Sequence, residues 1–368
     1  METILITGGA GFIGTNFVEY FAQKYPAYRL IDLDALTYAA NKEAFPRQAK
    51  LSNVIPIHGD VCDESAVRDL MEEYDVTGVI HFAAESHVDN SIADPMRFVF
   101  TNIHGTTVML DAALRYWQRT GRLASSRFHH VSTDEVFGTL GETGFFDENS
   151  AYAPNSPYSA SKAASDLMAR SYAKTYGMNV TLSNCSNNYG PWQHDEKLIP
   201  TIIRRCLSHT LVPLYGNGLN VRDWLWVNDH CRALDLIFHQ AAPGARYNVG
   251  GHCERSNLDI AEGICRLLDE MHPWSGHQYR ELITFVDDRP GHDFRYAVDA
   301  VEASNAVPCR TEADCGVVSR TVSGGWGNLI EMCRDLRMRD LTAVKSKIQH
   351  NSISEVRQAV KPHFFPLG

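Results

Sequence analysis

The sequence predicts an α/β protein built around a doubly wound parallel sheet. Short apolar segments with strand character alternate with longer segments whose apolar residues recur at helical spacing. Such an alternation places a helix between consecutive strands, so that each strand returns parallel to the one before it. A glycine-rich turn directly after the first predicted strand is a second feature typical of this fold class. The predicted strands cover residues 3–7, 28–33, 54–58, 79–82, 128–132 and 180–184, and the predicted helices include residues 17–24, 66–74, 99–118 and 158–176.

A second, smaller unit is predicted beyond about residue 185, where Pro and Gly become more frequent and the strand-like segments become shorter. We interpret this part as an α/β lobe that binds substrate and is interleaved with the first unit. The predicted boundaries are residues 1–184 plus 224–250 for the larger unit and residues 185–223 plus 251–338 for the smaller lobe. Residues 339–368 have a weak pattern, and no role is predicted for this C-terminal tail.

The composition of the 368-residue chain is typical of a globular protein, with 44% hydrophobic and 21% charged residues. A net charge of −10 argues against a nucleic-acid partner or an anionic membrane surface. No apolar run reaches the roughly 18 residues that a membrane span needs. Because Met1 leads directly into a predicted strand, we expect no signal peptide and a cytoplasmic protein. The nine cysteines include no C-x-x-C pair, so neither a disulfide framework nor a metal site is predicted.

Residues 9–14 predict a site for a dinucleotide. They read Gly-Ala-Gly-Phe-Ile-Gly, a G-x-G-x-x-G pattern whose glycines allow a tight turn and let backbone N–H groups approach a pyrophosphate. Asp34 ends the second predicted strand twenty residues after Gly14, which is the spacing of an acid that binds the ribose. Because Ala35 and Leu36 follow Asp34 where an arginine would accommodate a 2′-phosphate, we predict a Rossmann-type fold that binds NAD and not NADP.

Residues 128–138 are predicted to carry the chemistry. They begin as an apolar strand and end in a threonine followed by Asp134 and Glu135, at the strand end where ligands bind in open α/β sheets. Tyr158 and Lys162 lie one helical turn apart on one face of a predicted helix. A tyrosine must be partly ionised to take a proton from a hydroxyl, and its ordinary pKa is near ~10. We expect Lys162 and a positively charged nicotinamide ring to lower the pKa of Tyr158.

The adjacent acids favour elimination of water over epimerisation. Once a sugar C4 hydroxyl is oxidised, the C5 proton becomes acidic and the C6 hydroxyl becomes a leaving group, and its loss needs a base and an acid together. An epimerase oxidises, rotates and reduces the sugar, and needs neither acid. For Asp134 to donate a proton it must be held protonated by burial or by a like-charged neighbour, while Glu135 stays ionised. The alternative is that the pair belongs to a polar turn that caps a helix.

Seven segments of the chain together resemble one known family. Residues 133–138 read TDEVFG and residues 158–162 read YSASK. The other segments read AAESHVD, NCSNNYGP, EKLIP, NVRDWL and DRPGHD, at residues 83–89, 184–191, 196–200, 220–225 and 288–293. With these motifs the chain resembles the dTDP-glucose 4,6-dehydratases of the extended short-chain dehydrogenase/reductase family, over residues 1–335.

The resemblance implies a role for five catalytic residues. Tyr158 would be the base in the oxidation step, and Lys162 would be its partner. Asp134 would be the acid that expels the C6 hydroxyl, and Glu135 would be the base at C5. Thr133 would form a hydrogen bond with the sugar.

The resemblance also implies two sets of binding residues. NAD would be bound by Gly8, Gly11, Phe12, Ile13, Gly14, Asp34, Asp60, Val61, Ala83, Ala84, Thr101, Ser132, Tyr158, Lys162 and Asn188. A nucleotide-sugar substrate would be bound by Ser86, Thr133, Asn187, Glu196, Lys197, Leu198, Pro213, Tyr215, Arg222, Asn257, Arg289, His292 and Tyr296. Within this set the forked, always charged guanidinium of Arg222 would grip the diphosphate.

Three departures from the family pattern leave the preferred sugar and nucleobase open. Phe137 stands where the family has Tyr, Asn90 follows Asp89 where Arg is common, and residues 192–195 replace a family segment.

We expect NAD-dependent dehydration of an NDP-hexose to the 4-keto-6-deoxy-hexose, with dTDP-glucose as the leading candidate. The alternatives are a UDP-sugar 4,6-dehydratase, a 4-epimerase or decarboxylase of the same superfamily, and a non-catalytic NAD-sensing regulator. The apolar faces of residues 99–118 and 158–176 predict a homodimer with a helical interface.

Overall fold

A computed structural model describes residues 2–300, so the predictions for residues 301–338 and for the tail at 339–368 lie outside the described residues. The strands of this part are β1 (Thr3–Thr7), β2 (Arg29–Asp34), β3 (Val54–His58), β4 (Gly78–His81), β5 (Arg127–Thr133), β6 (Val180–Cys185), β7 (Asn187–Tyr189), β8 (Val212–Tyr215), β9 (Val221–Trp226), β10 (Arg246–Val249), β11 (Glu254–Ser256) and β12 (Ile283–Val286). Seven of them form one sheet in the order β10-β6-β5-β4-β1-β2-β3, and each neighbouring pair is parallel. The predicted doubly wound parallel sheet is confirmed, and each of the six predicted strands is present.

Helices cover both faces of this sheet. They are α1 (Phe12–Lys24), α2 (Ala44–Gln48), α3 (Glu64–Glu73), α4 (Val88–Ala93), α5 (Pro95–Phe98), α6 (Thr106–Arg119), α7 (Pro157–Tyr176), α8 (Leu198–Leu207), α9 (Val227–Gln240) and α10 (Asn257–Met271). One face buries Val67, Trp117 and Phe128 with helices α3, α6 and α7, and the other buries Phe17 and Phe21 between α1 and α9. The removal of these large apolar side chains from water is the main stabilising contribution of the sheet, at about 2 kcal/mol for each fully buried side chain.

The predicted helix at residues 99–118 differs from the structure at its start. Val99–Gly105 forms a wider π-helical turn, and regular α-helix begins only at Thr106. The wider turn keeps Asn102 in the interior, where its side-chain amide donates to Glu85 O at 3.0 Å and to Ser161 Oγ at 2.8 Å. Buried polar groups need such partners, so this local bonding offsets the departure from regular helix.

Helix α7 has strong local signals at both ends. Ser156 and Ser159 form a reciprocal capping box, and Pro157 occupies the first turn, where its missing N–H has no cost. Gly177 ends the helix in the left-handed region with φ of 65°. These residues set the helix register and therefore determine which face presents Tyr158 and Lys162.

Two small sheets lie beyond the carboxyl edge of the large one. Strand β9 pairs with β7 and β11, and β8 pairs with β12. Helices α8 and α10 pack together here around a separate apolar cluster that includes Ile203, Trp226 and Ile264. Residue 224, a predicted boundary between the two units, lies inside β9, whereas β10 pairs with β6 in the large sheet. Within residues 2–300, no helix is both long and apolar enough to cross a membrane.

Strand β1 lies between β2 and β4, and the strand order reverses there. The connections on the two sides of β1 therefore run over opposite faces of the sheet. A crevice forms at the carboxyl ends of the strands at such a switch point. The glycine-rich turn after β1 and the polar ends of β5 and β6 border this crevice.

Candidate active site

A cavity of about 340 Å³ opens at the carboxyl ends of the seven-stranded sheet. It is lined by the ends of strands β2, β5 and β6 and by the turns after β1, β3 and β4. Every residue predicted to bind the cofactor lines it, and so do the five residues predicted for catalysis. The structure therefore brings together side chains that are more than 150 positions apart in the sequence.

The glycine-rich turn leaves no space for side chains at two positions. Gly8 has φ of +76°, a conformation that side chains disfavour. A Cβ on Gly14 would lie 2.1 Å from Gly8 O. The turn leads directly into α1, whose N-cap is Gly11, so backbone N–H groups at the helix start face the cavity. This cradle fits the pyrophosphate of a dinucleotide.

Two carboxyl groups of β2 hold this turn in place. Asp34 Oδ2 accepts from Ala10 N at 2.9 Å, and Asp32 Oδ1 accepts from Gly9 N at 3.0 Å. Asp34 lines the cavity, whereas Asp32 is fully buried behind the turn. Burial, and then the charge of Asp34, raises the pKa of Asp32 from 3.8 to about 8. Asp32 was not predicted from the sequence, although an acid between the apolar residues Ile31 and Leu33 of a strand is detectable there.

The end of β5 forms the acidic part of the cavity. Thr133 caps the short 3₁₀ turn Asp134–Phe137, and its Oγ1 accepts from Glu135 N at 3.3 Å. The same hydroxyl donates to Asp134 Oδ1 at 3.3 Å. The turn ends at Gly138, which has φ of +85°. The capping alternative is thus part of the local structure, but it leaves both carboxyl groups in the wall of the cavity.

The two acids have different electrostatic surroundings. Burial raises the pKa of Asp134 well above its ordinary value, and the charges of Glu135 and Asp223 raise it further. Burial also raises the pKa of Glu135, but the cations Arg222, Arg289 and Lys197 oppose that rise. Asp134 is therefore the carboxyl group that stays protonated more readily, which is the direction predicted for a proton donor.

Tyr158 and Lys162 lie on the face of α7 that meets the end of β5. Both are buried, and Lys162 Nζ donates to Val131 O at 2.9 Å. Burial raises the pKa of Tyr158 well above its ordinary value, the charge of Glu135 adds to this, and a hydrogen bond with Thr133 opposes it. This direction is the opposite of the lowering predicted from Lys162 and the nicotinamide ring, because burial of the phenol has the largest effect on its pKa.

Only part of the predicted substrate set lines the cavity. Ser86, Thr133, Asn187, Glu196 and Lys197 do, and Lys197 Nζ donates to Ser86 O at 3.2 Å. The remaining residues lie outside this cavity: Leu198, Pro213, Tyr215, Arg222, Asn257, Arg289, His292 and Tyr296. Leu198 and Asn257 are the first residues of α8 and α10, and Pro213 lies within β8.

The predicted arginines lie next to the acidic turn although they do not line the cavity. The Arg222 guanidinium lies 4.4 Å from the centre of the Tyr296 ring, and its Nη2 donates to Asp293 O at 3.0 Å. The Arg289 guanidinium lies 5.9 Å from the Tyr215 ring. Both positive charges oppose the rise in the pKa of Glu135.

The departures from the family pattern occupy different places. Phe137 is buried and stacks on Phe146 at 5.1 Å, outside the cavity wall. Asn90 Nδ2 donates to Tyr38 OH at 2.9 Å.

The replaced segment at residues 192–195 covers one side of the cavity. The Tyr38 ring lies 5.9 Å from the His194 ring. Gln193 and His194 line the cavity, as do Thr37, Ala39 and Ala40, to which the sequence analysis gave no role.

The fold and the cavity define a dinucleotide-dependent enzyme of the extended short-chain dehydrogenase/reductase class. A family model described as GDP-mannose 4,6 dehydratase matches residues 5–310. The chain belongs to this family, and the resemblance noted from the motifs is confirmed.

Named relatives within the family match most of the chain. A probable dTDP-glucose 4,6-dehydratase from Sinorhizobium fredii is 47% identical over 330 residues, covering 88% of this chain and 93% of the relative. The dTDP-glucose 4,6-dehydratase of Xanthomonas campestris pv. campestris is 49% identical over 303 residues, covering 82% and 86%.

Solved structures agree with this assignment. A dTDP-glucose 4,6-dehydratase from Bacillus anthracis in complex with NAD has a TM-score of 0.77 and 38% identity, and the match covers 92% of this chain and 97% of that one. The enzyme of the same name from Streptomyces venezuelae, with NAD bound, has a TM-score of 0.78 and 38% identity over 91% and 97%. A UDP-glucose 4-epimerase from Thermotoga maritima, at 23% identity with a TM-score of 0.75, shares the fold.

Proposed function

We propose that this protein is an NAD-dependent 4,6-dehydratase that converts dTDP-glucose to the 4-keto-6-deoxy sugar. The observation that carries the proposal is the pair Asp134 and Glu135 in the wall of the same cavity as Tyr158 and Lys162. The proposal is supported by relatives of that name at 47% and 49% identity and by solved neighbours of that name with NAD bound. When bound, NAD supplies the hydride acceptor at C4 and the hydride donor at C6.

The oxidation step requires a proton transfer, which we assign to Tyr158 on α7. Tyr158 Oη takes the proton of the C4 hydroxyl, and Thr133 holds that hydroxyl in position. A hydrogen bond from the Thr133 hydroxyl, in place of the one it donates to Asp134, would lower the pKa of the phenol against the effect of burial. Lys162 adds a positive charge at the base of the helix turn and fixes the helix on β5 through Val131 O.

The elimination step uses the two acids of the β5 turn. Glu135 removes the C5 proton. Burial raises the pKa of Glu135, and the nearby cations oppose that rise and favour the ionised form that a base needs. Asp134, kept protonated by burial and by the charge of Glu135, gives its proton to the departing C6 hydroxyl, which leaves as water. The surroundings therefore favour the protonated form more strongly at Asp134 than at Glu135, which is the order that the two roles require.

The nucleotide part of the substrate is assigned to the region around the small sheets. Arg222 and Arg289 face Glu135 from that side and provide the positive charge that a diphosphate needs. The glucosyl group is assigned to Ser86, Asn187, Glu196 and Lys197. The nucleotide is assigned to His292, Tyr296 and Asn257. Tyr215, Pro213 and Leu198 complete the assigned substrate set.

The experiment that tests this proposal is incubation of the purified protein with dTDP-glucose, UDP-glucose and UDP-N-acetylglucosamine, with products separated from substrate by chromatography and analysed by mass. We expect loss of one water from dTDP-glucose. Products of unchanged mass would favour a 4-epimerase, and water loss confined to the UDP sugars would favour a UDP-sugar dehydratase. No conversion of any nucleotide sugar would favour the NAD-sensing regulator.

A homodimer is part of the proposal. Exposed apolar side chains cluster on α5, the π-helical turn after it and α7: Met96 and Phe100 are 57% and 58% exposed, and Leu167 is 52% exposed. Pairing of this face with a second copy would remove it from water. Sedimentation at micromolar concentration should give a dimer, and Phe100→Asp should give a monomer. A wild-type monomer would contradict the helical interface.

The division into two units and the location of the protein are also proposals. The larger unit, residues 1–184 plus 224–250, is assigned to NAD, and the lobe of residues 185–223 plus 251–338 to the nucleotide sugar. A separate apolar cluster under α8 and α10 supports a second unit, and Trp224 and Trp226 of the larger unit also pack into this cluster. A cytoplasmic location is supported by the cysteines of residues 2–300, which form no disulfide.

A further inference from the structure

Asp166 is a fully buried acid that the proposed mechanism does not use. It lies on α7 one helical turn after Lys162, and it does not line the cavity. Taking a carboxylate out of water is strongly unfavourable unless donors and opposite charge surround it. A buried acid at this position therefore needs hydrogen-bond donors or positively charged groups around it.

The partners of Asp166 come from three different segments. Its Oδ2 accepts from Tyr152 OH at 2.9 Å and from Asn184 Nδ2 at 3.1 Å. His130 Nε2 lies 3.1 Å from its Oδ1. The loop before α7 and the neighbouring strands β5 and β6 thus converge on one carboxyl group.

Asn184 extends this contact to the catalytic turn. Its side-chain amide, which donates to Asp166, also donates to Thr133 O at 3.0 Å. Thr133 precedes Asp134 and Glu135 directly, so one amide joins α7 to the end of β5. Lys162 makes the second connection between the same two elements, through Val131 O.

Asp166 also affects the pKa of Lys162. Burial lowers the pKa of Lys162, and the charge of Asp166 opposes this. His81 and His130 face Lys162 from β4 and β5. Burial lowers the pKa of both and favours their neutral forms, and at His130 the Asp166 carboxylate opposes this. On the far side of Asp166, Arg246 lies over the Tyr152 ring at 5.3 Å.

We propose that Asp166 is a positioning residue that holds the turn at Thr133 in register with the helix carrying Tyr158 and Lys162, through Asn184, and that supplies the buried negative charge facing Lys162. The two half-reactions assigned above occupy these two elements, so one carboxyl group serves both. This inference rests on the proposed function, because it assigns Asp166 to the same site.

The test compares three variants of the NAD-loaded enzyme. Asp166→Asn keeps the shape of the side chain and removes its charge. We expect its kcat to fall by up to about 100-fold, with KM unchanged because Asp166 does not touch the substrate. The basic limb of its pH profile should move down by about one pH unit, because a Lys162 without Asp166 loses its proton more easily.

The second variant and the control separate register from charge. Asn184→Ala removes the connection to Thr133 and keeps the Asp166 charge, so kcat should fall while the basic limb stays in place. Asp235→Asn is the matched control, since Asp235 is equally buried, accepts hydrogen bonds from Tyr20 and Tyr25, and lies outside the cavity. It should lower the unfolding temperature and leave the pH profile unchanged.

A direct measurement distinguishes failure of this inference from failure of the proposed function. The Lys162 side-chain resonance, in protein with labelled lysine and assigned with Lys162→Arg, should titrate at lower pH in Asp166→Asn than in the wild type. This readout needs no turnover, so it stands even if no nucleotide sugar is converted. The inference is overturned if the resonance titrates at the same pH in both proteins, or if Asp235→Asn shifts the pH profile equally.

Discussion

Replacing Glu135 by Gln should separate the oxidation of the sugar from the loss of water. Gln keeps the size of the side chain but has no basic oxygen for the C5 proton. A positioned general base contributes about 10²–10⁴-fold to the rate. Formation of the 4-keto-6-deoxy product should therefore slow by about 10²–10⁴-fold, which corresponds to a barrier that is higher by about 3–5 kcal/mol. Oxidation should persist, because Glu135 raises the pKa of Tyr158 and its removal makes the phenol easier to ionise.

The assay follows the C5 position by mass in deuterated water. In Glu135→Gln, dTDP-glucose should lose neither water nor its C5 hydrogen, although a single turnover still gives enzyme-bound reduced nicotinamide. Asp134→Asn is the matched control: its C5 hydrogen should exchange with solvent while water loss fails, because the acid for the C6 hydroxyl is missing. The reasoning is refuted if Glu135→Gln exchanges C5 hydrogen or forms product at the wild-type rate.

Three further predictions concern the residues that hold the site. The pKa of Asp32 is 3.8 in an ordinary setting and about 8 in the fold. The unfolded chain therefore loses this proton first, and stability should fall as pH rises through that window, by up to about 1.4 kcal/mol per pH unit. Asp32→Asn should flatten this slope in urea unfolding between pH of about 5 and 8, and an unchanged slope would contradict the burial argument. Gly14→Ala should abolish copurification of NAD, measured by absorbance after denaturation, whereas Gly141→Ala, where a Cβ meets nothing within 4 Å, should retain it. Ser156→Ala removes the cap of α7 and should lower the unfolding free energy by about 1 kcal/mol, more than Ser171→Ala on the exposed face of the same helix.

Several parts of the site could be predicted from the sequence because they depend on local geometry. The turn at residues 9–14 and Asp34 follow from the spacing of glycines and of an acid along one strand–helix–strand unit. Tyr158 and Lys162 share a face because an α-helix has 3.6 residues per turn. The acid pair at the end of β5 was predictable because strand ends of a parallel sheet meet at one edge. These features also identified the family.

Only the tertiary structure decided how these parts act on one another. The buried Asp166, the amide of Asn184 that joins α7 to β5, and the positions of Arg222 and Arg289 depend on contacts between segments far apart in the chain. The direction of the Tyr158 pKa shift was mispredicted for the same reason: spacing gives the neighbour on the helix, but not the amount of water that folding removes. Charge effects depend on the distance between groups in space and on the exclusion of solvent, and neither quantity can be read from the sequence.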